Sequence, residues 1–217
     1  EKVTLHKESD GNSSVAKENE ETELPAYMKS AESIRSALAE LQQDNPDTIG
    51  WFAFDNLDIS YPLMQGTDND YYLNHTFSGE KNSAGSIFME AVNHPDLSDT
   101  HTIIYGHNMK NLSMFGSLRS YKTEDFYEGN EYFTIYTLDG VYRYQIFSYY
   151  DISEYGDIYK IWYTYDDDFE ELIKSMKRRA YYDTGVKIYK YDQIVTLSTC
   201  STEGNRFVVH GKLLEQY

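Results

Sequence analysis

The chain contains one cysteine, Cys200, and six histidines. A thiol attacks carbonyl carbon as its thiolate, and at an ordinary pKa of ~8.5 only a few per cent of it is ionised at neutral pH. The usual helper is an imidazole that takes the thiol proton and returns it to a leaving group. Cys200 ends the run Ile194-Val195-Thr196-Leu197-Ser198-Thr199-Cys200, where apolar residues alternate with small hydroxyl residues as in a half-buried strand. Ser201 to Asn205 make a polar loop and Arg206 opens the next strand, so a hairpin can return a guanidinium to the sulfur. Thiol plus cation is the equipment of acyl transfer; the competing reading is an inert buried cysteine beside a surface arginine.

The histidines are not equivalent. His6 lies in an acidic arm, His75, His94 and His101 lie among turn-like polar residues, and His210 continues a strand. His107 follows Ile103-Ile104-Tyr105-Gly106 and precedes Asn108, where a strand breaks into a loop, a position in which catalytic side chains concentrate. Context alone leaves the partner of Cys200 open. A metal site is not indicated, since there is no second cysteine, no His-x-x-x-His pair and no calcium-loop run of carboxylates. Gly204 and Gly211 are isolated and match no phosphate-cradling loop, so no cofactor is expected. The twenty-two tyrosines suit strands, and also suit a platform for stacking sugars or bases, with Tyr105 and Tyr159 the ones singled out.

The elements that must position these groups follow from periodicity. Ala31, Ile34, Leu38 and Leu41 share one stripe of a helix over residues 26–43, ended by Asn45-Pro46-Asp47. Short β-branched and aromatic runs then predict strands over 49–54, 59–63, 86–90, 102–105, 132–138, 141–152, 193–198 and 206–214, with Asp139-Gly140 as a hairpin turn. Phe169, Leu172, Ile173 and Met176 recur at helical spacing between acidic residues 166–168 and basic residues 177–179, which suits the helix macrodipole. A closed or partly closed antiparallel barrel, mainly β with helical additions, is the economical architecture.

A length of 217 residues fits one compact domain plus a tail. Residues 1–23 carry seven acids, three lysines and few apolar side chains, and read as a disordered acidic stalk ahead of a domain over 24–217. No signal peptide is visible there. The net charge of −17 argues against a nucleic-acid groove and against an anionic membrane face. Apolar runs such as 49–54 are far short of the ~18 residues needed to span a bilayer.

Thr196-Leu197-Ser198-Thr199-Cys200, followed by Arg206-Phe207-Val208-Val209-His210-Gly211-Lys212-Leu213 and preceded by Tyr105-Gly106-His107-Asn108-Met109, resembles the sortase family, most closely class B. Gly85 to Met89, Asn69 to Leu73 and Met114 to Gly116 are also similar to class B sequence, so the resemblance spans roughly residues 45–214. It implies an eight-stranded sortase-type β-barrel with an N-terminal helix and a helix inserted between strands 6 and 7. It implies a cysteine transpeptidase that cleaves an NPxTx-like sorting signal after threonine, forms a thioacyl-enzyme on Cys200 and passes the protein to a peptidoglycan amine. His107 would serve as acid and base, and Arg206 would bind the carbonyl or oxyanion. Asn69, Leu73, Tyr105, Ser198 and Thr199 match groove positions, and Ile158 and Tyr159 match through a variable connection. Asn69 would hydrogen-bond the peptide, with Leu73 and the Tyr105 ring as apolar walls.

The implied partners are surface proteins bearing a C-terminal sorting signal and a wall cross-bridge or precursor amine, with a monomeric enzyme on the outer face of a Gram-positive membrane, held by an anchor ahead of the stalk. One departure is the loop of six positions from Cys200 to Arg206, shorter than the class B pattern. Two other readings are a class B-like pilin polymerase that joins subunits through a lysine, and a non-catalytic tyrosine-rich binding barrel. A papain-like hydrolase has its cysteine before its histidine, the reverse of this order.

Overall fold

The computed structural model describes residues 26–217; the stalk expected over 1–23, with His6, lies outside them. Helix α1 (Ala26–Asp44) precedes strands β1 (Thr48–Phe54), β2 (Ser60–Met64), β3 (Ile87–Met89), β4 (His101–Tyr105), β5 (Tyr132–Tyr136) and β6 (Val141–Ser153). Helix α2 (Asp167–Arg179) then leads to β7 (Ile194–Cys200) and β8 (Asn205–Gln216). The eight strands close a barrel in the order β1-β2-β3-β4-β7-β8-β6-β5. All neighbours are antiparallel except β2–β3 and β4–β7. Parallel neighbours need a crossover connection, and the β4-to-β7 crossover carries the β5–β6 hairpin and α2.

The expected elements recur with ends moved by a few residues. The strand expected over 132–138 stops at Tyr136 because Thr137 opens the turn: its hydroxyl accepts from Gly140 N at 3.0 Å and Asp139 N at 3.2 Å. Ala31 and Leu38 of the α1 stripe are buried, and Ala31 and Ile34 pack against Tyr136 and Val141 beside the end of the barrel.

Two apolar layers meet on β6. Tyr142, Tyr144 and Ile146 point into the barrel with Phe52, Phe133 and Leu197. A register shift between Ile146 and Ser148 then sets both Phe147 and Ser148 outward and returns Tyr149 to the interior. Such an extra residue changes which side chains a strand shows to each face. The outward set, Phe147 and Tyr150, joins Phe169, Leu172, Ile173 and Met176 of α2 in a second core. The Asp166 carboxylate caps α2, accepting from Phe169 N at 3.1 Å.

Candidate active site

The site is built by strand register. In the parallel β4–β7 pair, Tyr105 lies opposite Ser198, and Gly106 N extends the pairing by donating to Ser198 O at 3.2 Å. His107 and Cys200 each lie two residues further on, His107 just past the end of β4 and Cys200 at the end of β7, and both border one cleft. The antiparallel β7–β8 pair sets Cys200 opposite Arg206. Ile104, Leu197, Phe207 and Val209 belong to the barrel interior, so alternation turns Tyr105, Ser198, Cys200 and Arg206 to the outer face. Imidazole, thiol and guanidinium thus form one row across three adjacent strand ends.

That row lines a cleft of about 440 Å³ with Asn69, Leu73, Phe88, Tyr105, Tyr159 and Ser198. Thr199, of opposite alternation, is buried and borders the cleft between Ser198 and the exposed Cys200. Glu154 and the exposed Tyr155 complete the rim. A mainly apolar trough with a few placed polar groups is the form taken by peptide and small-ligand sites.

The imidazole is oriented by backbone. Nε2 of His107 donates to the Leu73 carbonyl at 2.6 Å, which leaves Nδ1 as the ring nitrogen open to another partner. Leu73 therefore does more than form an apolar wall. Its carbonyl is placed by a short 3₁₀ turn over Tyr71–Leu73 that lies directly on Gly85; a Cβ there would stand 2.4 Å from Tyr72 O and 2.6 Å from Leu73 O. With φ at +58°, that position also favours glycine. Asn108 links the histidine loop to the cysteine strand, donating from Nδ2 to the Cys200 carbonyl at 2.7 Å.

A carboxylate missed by the sequence reading lies under the cleft. Glu90 is buried, with Oε1 accepting from Asn69 Nδ2 at 2.5 Å and Oε2 accepting from the Tyr105 hydroxyl at 2.7 Å. Asn69 also accepts from Ala91 N at 2.8 Å. One Nδ2 hydrogen of Asn69 remains for a ligand. Burial pushes the Tyr105 hydroxyl far up, and Glu90 adds to the shift, so Tyr105 stays a proton donor. Burial raises Tyr159 too, against the opposing hydrogen bond that its hydroxyl shares with Ser198 Oγ at 2.8 Å.

Ile158 is a correction. It is fully buried in the second core beside Phe147 and Phe169, because the short turn over Asp157–Tyr159 directs it toward α2 while Tyr159 reaches the cleft. Arg206 is met by a second unexpected acid: Nη2 donates to Glu154 Oε2 at 2.8 Å, and Nη1 donates to Asn205 O at 3.2 Å. An acid ending the apolar run Ile87-Phe88-Met89 was a signal that could have found Glu90. Nothing local to Glu154 marks it.

Among the described residues no cluster of His, Cys, Asp and Glu is placed to hold a metal ion, and no helix is long and apolar enough to cross a membrane.

Residues 53–214 match the sortase domain. The chain is 40% identical to sortase B of Listeria monocytogenes over 187 residues, covering 83% of this chain and 75% of that one. It superposes on sortase B of Clostridium perfringens with a TM-score of 0.76 at 32% identity, over 82% of this chain and 99% of the other. On a Staphylococcus aureus sortase B–substrate complex the TM-score is 0.79 at 30% identity, over 87% and 89% of the two chains.

Proposed function

The chain belongs to the sortase family and is a transpeptidase, and on that premise we propose that Cys200, His107 and Arg206 cleave an NPxTx-like sorting signal after its threonine and pass the new acyl end to a peptidoglycan amine. The observation that carries this reading is the single row of thiol, imidazole and guanidinium along a cleft bounded by Leu73, Tyr105 and Tyr159.

His107 Nδ1 takes the Cys200 thiol proton as the sulfur attacks the threonine carbonyl carbon, and the carbonyl oxygen takes the negative charge beside Arg206. Collapse of that intermediate breaks the C–N bond, and His107 Nδ1 gives its proton to the departing amine. The product is a thioester on Cys200. An incoming amine attacks the thioester carbonyl, His107 takes a proton from it, and as the C–S bond breaks that proton passes to the sulfur to return the thiol. Proton transfer of this kind is worth ~10²–10⁴ in rate, and an oxyanion donor ~10²–10³. The Leu73 carbonyl holds the ring in place through both transfers. Surface proteins with a C-terminal signal are the donors, and the enzyme works on the outer face of a Gram-positive membrane, as a monomer.

Incubation with a library of signal pentapeptides, followed by mass spectrometry, tests the reading. An acyl adduct on Cys200 after cleavage behind threonine is the expected result, and its absence with every NPxTx peptide rejects it. Supplying a wall-derived amine in parallel with a pilin domain identifies the acceptor; product formed with the pilin alone overturns the wall assignment.

A further inference from the structure

Arg206 is held on its far side by a residue outside the matched motifs. On β6, Ile152 pairs with Arg206 and Ser153 pairs with Asn205, and Glu154 follows directly. Alternation puts Glu154 on the same outer face as Ile152 and Arg206. Its backbone is fixed as well, because Glu154 N donates to Gly204 O at 3.1 Å across the loop between β7 and β8. The carboxylate then takes Arg206 Nη2 at 2.8 Å while Asn205 O takes Nη1 at 3.2 Å. Both terminal nitrogens are thereby tethered, and the remaining N–H groups of the guanidinium are free for a ligand. Glu154 and Arg206 both line the cleft.

We propose that Glu154 is a positioning residue for acyl transfer, anchoring Arg206 so that its unused N–H groups meet the substrate carbonyl as negative charge develops there. This rests on the reading of Arg206 as the carbonyl-binding group. The pair is partly exposed and single-contact, with side chains about one-third accessible, so its contribution to stability is small. Its contribution is to geometry, since a long arginine side chain must otherwise be ordered at the moment of reaction. Because the interaction matters most when the oxyanion forms, its loss falls on kcat more than on KM.

The test compares the wild-type enzyme with Glu154→Ala, Glu154→Gln and Arg206→Ala, alone and combined, using a fluorogenic NPxTx-type peptide. Thermal melts check that each variant is folded. Glu154→Ala is expected to lower kcat about tenfold, less than the ~10²–10³ of losing the donor itself, with KM nearly unchanged. Glu154→Gln, whose amide oxygen still accepts from Nη2, is expected to recover most of that loss. The double variant is expected to be no slower than Arg206→Ala, because Glu154 acts only through the arginine. Unchanged or raised kcat in Glu154→Ala overturns the proposal, as does an equal further loss in the double variant.

Side-chain ¹⁵N spectra of Arg206 provide a readout that needs no substrate. Restricted rotation about Nε–Cζ in the wild type, lost in Glu154→Ala, is expected, and identical spectra overturn the proposal. A wild-type enzyme that cleaves no sorting peptide rejects the functional reading instead, and the spectra still decide whether Glu154 holds the guanidinium.

Discussion

At the scale of single residues, removal of the thiol should leave the fold untouched. Cys200 is exposed at a strand end and packs in no core cluster, so Cys200→Ala is expected to melt within a degree or two of the wild type and to form no acyl adduct by mass spectrometry. Arg206→Lys is a finer probe. Lysine keeps the charge but lacks the planar fork that Glu154 and the Asn205 carbonyl grip from two nitrogens. A loss of ~10² in kcat/KM is expected in a peptide-cleavage assay, and near-wild-type activity in the lysine variant would show that charge alone suffices. Cys200 and Arg206 were legible because they lie in one hairpin, six positions apart. Glu154 was not, since it meets Arg206 from 52 positions away through a register that no local pattern encodes.

At the scale of elements, packing beneath the row decides where its side chains point. Gly106 sits between Tyr105 and His107, and a Cβ there would stand 2.5 Å from Ile87 Cδ1 and 2.7 Å from Phe115 Cδ2. The Phe115 ring is fully buried and has no room to retreat. Gly106→Ala should therefore cost about 1–3 kcal/mol in stability by denaturant melt and lower the acylation rate further, because the strain is relieved by moving the histidine loop. An activity loss no greater than the fraction unfolded would refute that link. Helix α2 acts at longer range: Phe169 is fully buried against Tyr163, with rings 5.7 Å apart, in the core that also holds Ile158. Phe169→Ala should cost about 3–5 kcal/mol, read as a fall in the melting midpoint. The helix itself was legible from its apolar spacing and its charged ends. The path of the connection before it was not: residues 154–166 have neither a helical nor an alternating pattern, and of neighbouring Ile158 and Tyr159 the first is wholly in the core while the second packs on that core and also lines the cleft.

At the scale of the whole molecule, the strands that carry the row are joined beneath it by a buried polar chain. His101 Nε2 on β4 lies 2.7 Å from the Thr196 hydroxyl on β7, which lies 2.8 Å from His210 Nδ1 on β8. A hydroxyl has one hydrogen, so it donates to one ring and accepts from the other, which neutral rings satisfy at these two nitrogens. Both histidines are fully buried, and the Phe147 and Tyr150 rings pack on His210. Burial depresses His101 to about 4, against weaker opposing effects of the Lys160 backbone and Asp99. Burial also holds His210 well below its usual value, with the charges of His101 and Arg179 adding to the effect. In the unfolded chain both rings titrate near ~6.5. Between pH ~6.5 and ~4 the unfolded state thus binds more protons than the folded one, and stability must rise with pH across that window and level off above it. The limiting slope for two sites is about 2.7 kcal/mol per pH unit. Asp151 and Asp157, whose carboxyls are held below the usual range, weaken the fold only at lower pH, and exposed His94, raised by Asp99, acts in the opposite sense. Urea midpoints measured from pH 7.5 to 4.5 should fall steeply below pH 6.5, while the ring resonances of His101 and His210 show no titration until the protein unfolds. A flat stability profile through that range, or free titration of both rings in the folded protein, would mean that the three strands are not locked by a neutral histidine pair.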